Sequence, residues 1–202
     1  MSANHAAFNL IFRFVENYVS PIAGRISSQR HVMAIRDGFI SAMPFMIVGS
    51  FLLVFAYPPF SPDTTWGFAR AWLDMAKQFE GQILTPFDMT MGIMSIYICA
   101  AIAYNLGKHY VKTHQLDPFM CAMLSLMAFL LVAAPKTKGT LPVDSLGGTG
   151  IFTAILVAIY CVEMMRFLKA HNIGIRLPDQ VPPMIKNSFD LLIPVLVVVL
   201  TL

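Results

Sequence analysis

The chain has 202 residues, of which 57% are hydrophobic and 12% are charged, and its net charge is +3 at neutral pH. Soluble domains average about 25% charged residues, so this composition excludes an ordinary water-facing surface over much of the chain and indicates lipid as the solvent. The basic residues are few and scattered, which argues against nucleic acid as a partner.

The first predicted unit, residues 1–37, is a cytoplasmic amphipathic N-terminal segment. It lacks the continuous apolar stretch of a signal peptide. Helical spacing places the following apolar residues on one face: Phe8, Ile11, Phe12, Val15, Tyr18, Val19 and Ile22. The opposite face is polar, so the pattern indicates either a helix lying at the membrane interface or a helix packed against protein.

The second predicted unit, residues 38–202, is a bundle of membrane-spanning helices. Crossing about 30 Å of hydrocarbon takes about 20 helical residues, and several charge-free runs approach that length. Complete spans are predicted near residues 38–57, 89–107, 118–135 and 145–165, and a further one starts at residue 189. The 12 residues after Asp190 rise only about 18 Å, so we expect this last span to be truncated in the chain.

Local patterns add detail to these spans. Pro44 is expected to bend the first span, and Gly49 with Ser50 would permit close approach of a neighbouring helix. A short amphipathic helix is predicted from Phe68 to Phe79, with Trp66 and Trp72 at headgroup level on the outer side. Residues 135–150 have no apolar period and contain turn-forming residues, which predicts a loop. The predicted fold class is therefore an all-α polytopic transmembrane bundle with interfacial amphipathic helices.

The distribution of Lys and Arg predicts the orientation of the chain in the membrane. Cytoplasmic connections carry an excess of these residues. With the N-terminus inside, ten of them fall in cytoplasmic segments and four outside. We therefore expect a multi-pass protein with a cytoplasmic N-terminus.

The predicted spans offer little for catalysis. Proton-coupled transporters place Asp, Glu or His inside their spans, whereas the charge-free runs contain none of the three. Glu163 comes closest, at the cytoplasmic end of the fourth span, and Arg166 follows on the same helical face, which predicts a helix-end ion pair. The amide of Asn105 is expected to bond a neighbouring helix, with a sugar hydroxyl as the alternative.

The cysteines show no pattern of a metal or redox site. Cys99, Cys121 and Cys161 lie in apolar stretches without metal-ligand spacing, so we predict small buried hydrophobic residues. No Walker loop, zinc-protease or serine-hydrolase motif is present. The sequence thus predicts no catalytic residue, no cofactor-binding residue and no metal ligand in this chain.

Three segments resemble a known family. HVMAIRDGFISAMPFMIVGS (from His31), MTMGIMSIYICAAIAYNLG and RLPDQVPPMIKNSFDLLIP resemble, in this order, the N-terminal half of the lactose/cellobiose-type enzyme IIC permeases of the bacterial sugar phosphotransferase system. The third segment carries the most specific pattern, and its Pro178, Pro182 and Pro183 favour extended or turn geometry that makes a stiff cytoplasmic linker.

The resemblance implies a permease of the bacterial cell membrane that translocates a sugar, typically a β-linked disaccharide. A cytoplasmic IIB partner, supplied by IIA, then phosphorylates the sugar from a phosphocysteine. It also implies that the first five spans build much of a homodimer interface, and that the sugar-contacting residues belong to a second half that this chain lacks. An assembly scaffold without transport activity is the main alternative. A small intramembrane enzyme is the third hypothesis, but the predicted spans contain no visible nucleophile–base pair.

Overall fold

The computed structural model describes residues 20–134, 143–174 and 189–202, together with residues 16, 17, 182 and 185. Seven α-helices and no strand occur in this part of the chain, which confirms the predicted all-α class. Their bounds are α1 Ser20–Ser27, α2 Arg30–Ala56, α3 Gly67–Thr90, α4 Met94–His114, α5 Pro118–Ala133, α6 Ile151–Ala170 and α7 Leu192–Thr201. Most of the predicted amphipathic helix over residues 8–22 and most of the proline-rich linker lie outside the described residues.

Three helical stretches in the described ranges are long and apolar enough to cross a membrane: Arg30–Ala56, Gly67–His114 and Gly148–Ala170. The second stretch combines α3 and α4 across a short turn. The helix in the third predicted span, α5, has 16 residues and therefore rises about 24 Å. It begins at Pro118 as predicted and ends at Ala133, two residues before the predicted end at Pro135. Residues 135–142 lie outside the described ranges.

The centre of the bundle is α4, which packs against α2, α5 and α6. Its apolar side chains recur at helical spacing, and Ile98, Ile102 and Leu106 are fully buried. Partners on three sides leave little of the helix exposed before Tyr104, and most of its exposed residues follow in the last two turns. Close van der Waals packing of this kind contributes to the association of the described helices.

Small residues bring α2 close to α4. Ala34, Gly38 and Ala42 follow one another at helical spacing on α2, and all three are buried. A β-carbon at Gly38 would collide with the side chain and the backbone of Ile102. The helix axes therefore approach as closely as glycine permits, in the manner of small-residue contacts between membrane helices.

A second glycine contact occurs farther along α2. A β-carbon at Gly49 would lie 2.7 Å from the hydroxyl oxygen of Thr90 and even closer to the side chain of Met91. This confirms that Gly49 permits the close approach predicted from the sequence. The helix continues through Pro44 without interruption.

The amphipathic helix after α2 is longer than the predicted stretch from Phe68 to Phe79. It runs through Pro86 to Thr90 as α3 and packs along α2. A turn over residues 91–93 then separates it from α4. The backbone N–H of Ser95, in the first turn of α4, donates to the carbonyl of Leu146 at 2.9 Å, and its hydroxyl donates to the carbonyl of Gly147. The described part of the predicted loop, residues 143–150, is therefore bonded to the beginning of α4, next to the α3–α4 turn.

Aromatic rings gather at the end of the bundle where α2 finishes and α3 begins. Five rings lie within 6.0 Å of a neighbouring ring: Phe55, Phe60, Trp66, Phe68 and Trp72. The indole N–H of Trp72 donates to the Phe55 carbonyl at 3.2 Å. Trp66 and Phe68 are largely exposed, as expected for rings that lie at a membrane interface.

The three cysteines are buried and free. The thiol of Cys99 lies 3.5 Å from the carbonyl oxygen of Ser125, and the sulfur of Cys121 lies 3.6 Å from that of Met165. These contacts join α4 to α5 and α5 to α6. The prediction of small buried hydrophobic residues is confirmed.

Candidate functional site

The largest group of polar contacts between the described helices is centred on Glu163. One carboxylate oxygen accepts from the Tyr110 hydroxyl at 2.6 Å and lies 3.0 Å from Nε2 of His31. The other accepts from Nε of Arg166 at 2.6 Å. We call these four residues the Glu163 cluster. His31 lies in the first turn of α2, Tyr110 lies four residues before the end of α4, and Glu163 and Arg166 lie seven and four residues before the end of α6. The cluster therefore joins three helices near the same end of the bundle.

Burial differs within the cluster. The Tyr110 side chain is almost fully buried, at 2% exposure, while 24% of the Glu163 side chain and about two-fifths of the His31 and Arg166 side chains remain exposed. The carboxylate therefore lies at the boundary between the packed helices and solvent. A carboxylate in this position is stabilised by its hydrogen bonds more than a fully exposed one would be.

Two guanidinium groups lie against the Tyr110 ring. The guanidinium carbon of Arg30 is 5.6 Å from the ring centroid, and that of Arg166 is 5.3 Å from it. Both distances are within the range of a cation–π interaction. Arg166 also pairs with Glu163, whereas no carboxylate of the described residues lies within salt-bridge distance of Arg30. Together with Arg30, the Glu163 cluster thus carries two guanidinium groups and one carboxylate.

An open cavity of about 520 Å³ lies beside the Glu163 cluster. Its wall consists of the four cluster residues together with Ser28, Gln29 and Arg30. The last three precede and begin α2, and the Gln29 side chain makes no capping bond to the helix. Every lining residue thus has a polar or charged side chain, with two guanidinium groups and one carboxylate among them.

A second polar junction holds α7. Nζ of Lys169, in the last turn of α6, lies 3.0 Å from a carboxylate oxygen of Asp190 and 3.1 Å from the carbonyl oxygen of Gln115. Gln115 lies in the turn between α4 and α5. One ammonium group therefore joins this turn, the end of α6 and the residues that lead into α7.

The structure confirms one of the two polar predictions and corrects the other. Glu163 and Arg166 form the predicted ion pair. Asn105 does not bond a neighbouring helix in the described contacts. Its amide nitrogen donates to the Ala101 carbonyl in the preceding turn of α4 at 2.9 Å. An asparagine inside a helix commonly satisfies its side chain in this local way.

Sequence reasoning missed two members of the cluster. His31 lies 132 residues before Glu163 and Tyr110 lies 53 before it, and no spacing in a single sequence joins residues so far apart. The only available signal was that each lies near the end of a predicted helix. Lys169 and Asp190 were missed for the same reason.

The described contacts of this site hold helices in position. Among the described residues, no group of three or more His, Cys, Asp or Glu side chains is arranged to hold a metal ion. In that same part of the chain, every buried side-chain polar atom has a hydrogen-bond partner. A satisfied polar cluster at the end of apolar helices is typical of a polytopic membrane protein, and the long apolar helices define that class here.

Comparison with known proteins identifies the family. The model of the family described as "Phosphotransferase system, EIIC" matches residues 36–202. The chain is 37% identical to the cellobiose-specific EIIC component of Geobacillus stearothermophilus and 34% identical to the lichenan permease IIC component of Bacillus subtilis. These alignments cover 93% and 92% of the chain, and 43% and 42% of the relatives.

A solved structure agrees with these alignments. The crystal structure of the transporter ChbC, the IIC component of an N,N'-diacetylchitobiose-specific phosphotransferase system, superposes with a TM-score of 0.77 at 35% identity. The match covers 94% of the chain and 45% of ChbC. The chain belongs to the EIIC family of the phosphotransferase system and is a multi-pass membrane protein. It spans less than half the length of these relatives.

Proposed function

We propose that the chain forms the front half of a sugar permease that translocates a β-linked disaccharide across the bacterial cell membrane. The observation that carries this proposal is the similarity to ChbC, which extends over 94% of the chain. The relatives named for cellobiose and lichenan support the β-linked class of substrate. These matches favour a transport component over an assembly scaffold.

The proposed partners follow from the same family. A cytoplasmic IIB component would phosphorylate the sugar from a phosphocysteine after IIA has supplied the phosphoryl group. The names of some relatives, such as the lactose-specific EIICB component of Lactococcus lactis, include both the IIC and the IIB component.

We also propose that residues 38–202 provide a homodimer interface. The exposed side of α2 is apolar, with Ile47, Val48 and Phe51 each about half exposed or more, which supports a surface covered by lipid or a second copy.

A chimera tests the transport function. The chain would replace the matching portion of the Geobacillus cellobiose-specific EIIC, in a host that lacks its own cellobiose EIIC and retains IIA and IIB. We expect uptake of labelled cellobiose and accumulation of its phosphate, both dependent on IIB. The host carrying only the unreplaced portion of the relative is the control. A chimera that reaches the membrane in normal amounts and transports none of cellobiose, chitobiose and lactose would contradict the proposal.

We further propose that the end of the bundle that carries the Glu163 cluster faces the cytoplasm. The excess of Lys and Arg in the corresponding segments supports this orientation. Two exposed positions at opposite ends of α2, Ser28 and Asp63, allow a direct test by cysteine substitution. Because the native cysteines are buried, their background labelling should be low.

In intact cells, a membrane-impermeant maleimide should label D63C and leave S28C unlabelled. S28C should react only after the cells are made permeable. The unsubstituted chain serves as the control for background labelling. Labelling of S28C in intact cells, with protection of D63C, would reverse the proposed orientation.

A further inference from the structure

The cavity beside the Glu163 cluster has the charge of an anion-binding site. Arg30 and Arg166 contribute two guanidinium groups against the single carboxylate of Glu163. Arg30 is exposed, and its described contacts are with the ring and the hydroxyl of Tyr110 rather than with a carboxylate. A guanidinium has five N–H donors, so others remain available to a phosphate, which arginine binds with well-matched geometry.

The position of the cavity favours a ligand that lies at the membrane surface. It opens where α2 begins and where α4 and α6 end, within a few residues of long apolar runs. Tyr110 has an apolar ring inside the bundle and a polar tip at its boundary, as is common for tyrosine at headgroup level. Basic pockets between membrane helices on the cytoplasmic side bind the phosphates of lipid headgroups.

An apolar stripe extends along α6 below the cavity. Phe152, Leu156 and Ile159 precede Glu163 and Arg166 at intervals of three or four residues, so all five lie on one side of the helix. Phe152 and Leu156 are 81% and 68% exposed, and Ile159, between them and Glu163, is partly buried against the core. Such an apolar surface would not stabilise a bound inorganic phosphate, whereas the acyl chain of a bound lipid would cover it.

We propose that the cavity lined by Arg30, Tyr110, Glu163 and Arg166 binds the phosphate of an anionic phospholipid, with an acyl chain along the exposed stripe of α6. Arg30 and Arg166 contact the phosphate oxygens, and the side-chain amide of Gln29, which makes no capping bond, donates from the residue before α2. The lipid then joins the ends of the same three helices that Glu163 already ties together.

The test is a binding titration of the purified chain in detergent micelles with dioleoyl phosphatidylglycerol, followed by native mass spectrometry. Each arginine near an anionic lipid contributes about 1 kcal/mol, which corresponds to about a fivefold change in affinity. Arg30→Gln should weaken binding by about this factor. Glu163→Gln should tighten it by a similar factor, because the net charge of the cavity rises by one. A substitution that merely loosened the fold would weaken binding in both variants.

Controls separate the headgroup from other ligands. Arg70→Gln changes an exposed arginine on α3, at the other end of the bundle, and should leave the affinity within about twofold of the original. Dioleoyl phosphatidylcholine, whose phosphate is neutralised by choline, should bind more weakly than phosphatidylglycerol. Equal binding of the two lipids, or unchanged affinity in Arg30→Gln, would overturn the proposal. An Arg30-dependent affinity for inorganic phosphate that matches that for phosphatidylglycerol would assign the cavity to a soluble anion instead.

Discussion

Glu163→Ala should lower the free energy of unfolding by about 2 kcal/mol, because it leaves three donors on three helix ends without their shared acceptor. The buried Tyr110 hydroxyl loses its partner at 2.6 Å, and His31 and Arg166 lose theirs. The loss is smaller than for a fully buried ion pair, since Glu163 and its charged partners are partly exposed. The measurement is the unfolding of the purified chain as dodecyl sulfate is titrated into dodecyl maltoside micelles.

Glu80→Ala is the matched control for this prediction. Glu80 is also a glutamate on a long helix, and it accepts from the Tyr57 hydroxyl at 3.2 Å, but both residues are exposed. Its removal should change the free energy of unfolding by no more than about 0.5 kcal/mol. Equal losses for the two variants would show that the Glu163 cluster does not hold the helix ends together.

Gly38→Ala should destabilise the chain by about 3 kcal/mol, the upper part of the range for an overpacked core position. The added methyl group would meet the backbone nitrogen of Ile102 at 2.9 Å and its Cα at 3.0 Å, and the Ile102 side chain at a shorter distance still. A backbone in the middle of a helix cannot move aside as a flexible side chain can. The two helices must separate, and the packing around Ile102 is lost over several turns.

Gly81→Ala should have the opposite sign. Gly81 lies inside α3, and a β-carbon there would meet nothing within 4 Å. Alanine is favoured over glycine in a helix by about 0.8–1.0 kcal/mol, so this variant should gain a fraction of that amount. The same detergent titration measures both glycine variants. A Gly38→Ala chain as stable as Gly81→Ala would contradict the close approach of α2 to α4.

Most of the helices could be predicted because each depends on local information. Charge-free runs marked the apolar segments, and the small residues Gly49 and Ser50 indicated a close helix contact. Helix ends were harder to place. The run that predicted the second span ended at Gly107, yet α4 continues to His114. Most residues after Gly107 are exposed, Tyr110 excepted, and a helix that leaves the bilayer can continue in water. The end of α3 was also misplaced. The predicted stretch ended at Phe79, whereas α3 continues past the polar residues that follow, to Thr90.

The candidate site could be predicted only in part. Glu163 and Arg166 are three residues apart, and helix geometry alone places them together. His31 and Tyr110 reach the same carboxylate only because α2 and α6 both lie beside the end of α4. That arrangement depends on which helix packs against which, through residues such as Gly38 and Ile102. A single sequence contains no local signal for it.

The central place of α4 has a consequence for biosynthesis. As the chain emerges from the ribosome, α2 enters the bilayer before α4, and of its two main partners, α3 and α4, only α3 is available to it at first. The surface around Gly38 is covered only after Ile102 of α4 has been synthesised, 64 residues after Gly38. At roughly 5–20 residues per second, this delay lasts several seconds. During that interval α2 is held in the membrane by its own hydrophobicity, and the synthesis of α4 determines when the contact through Gly38 can form.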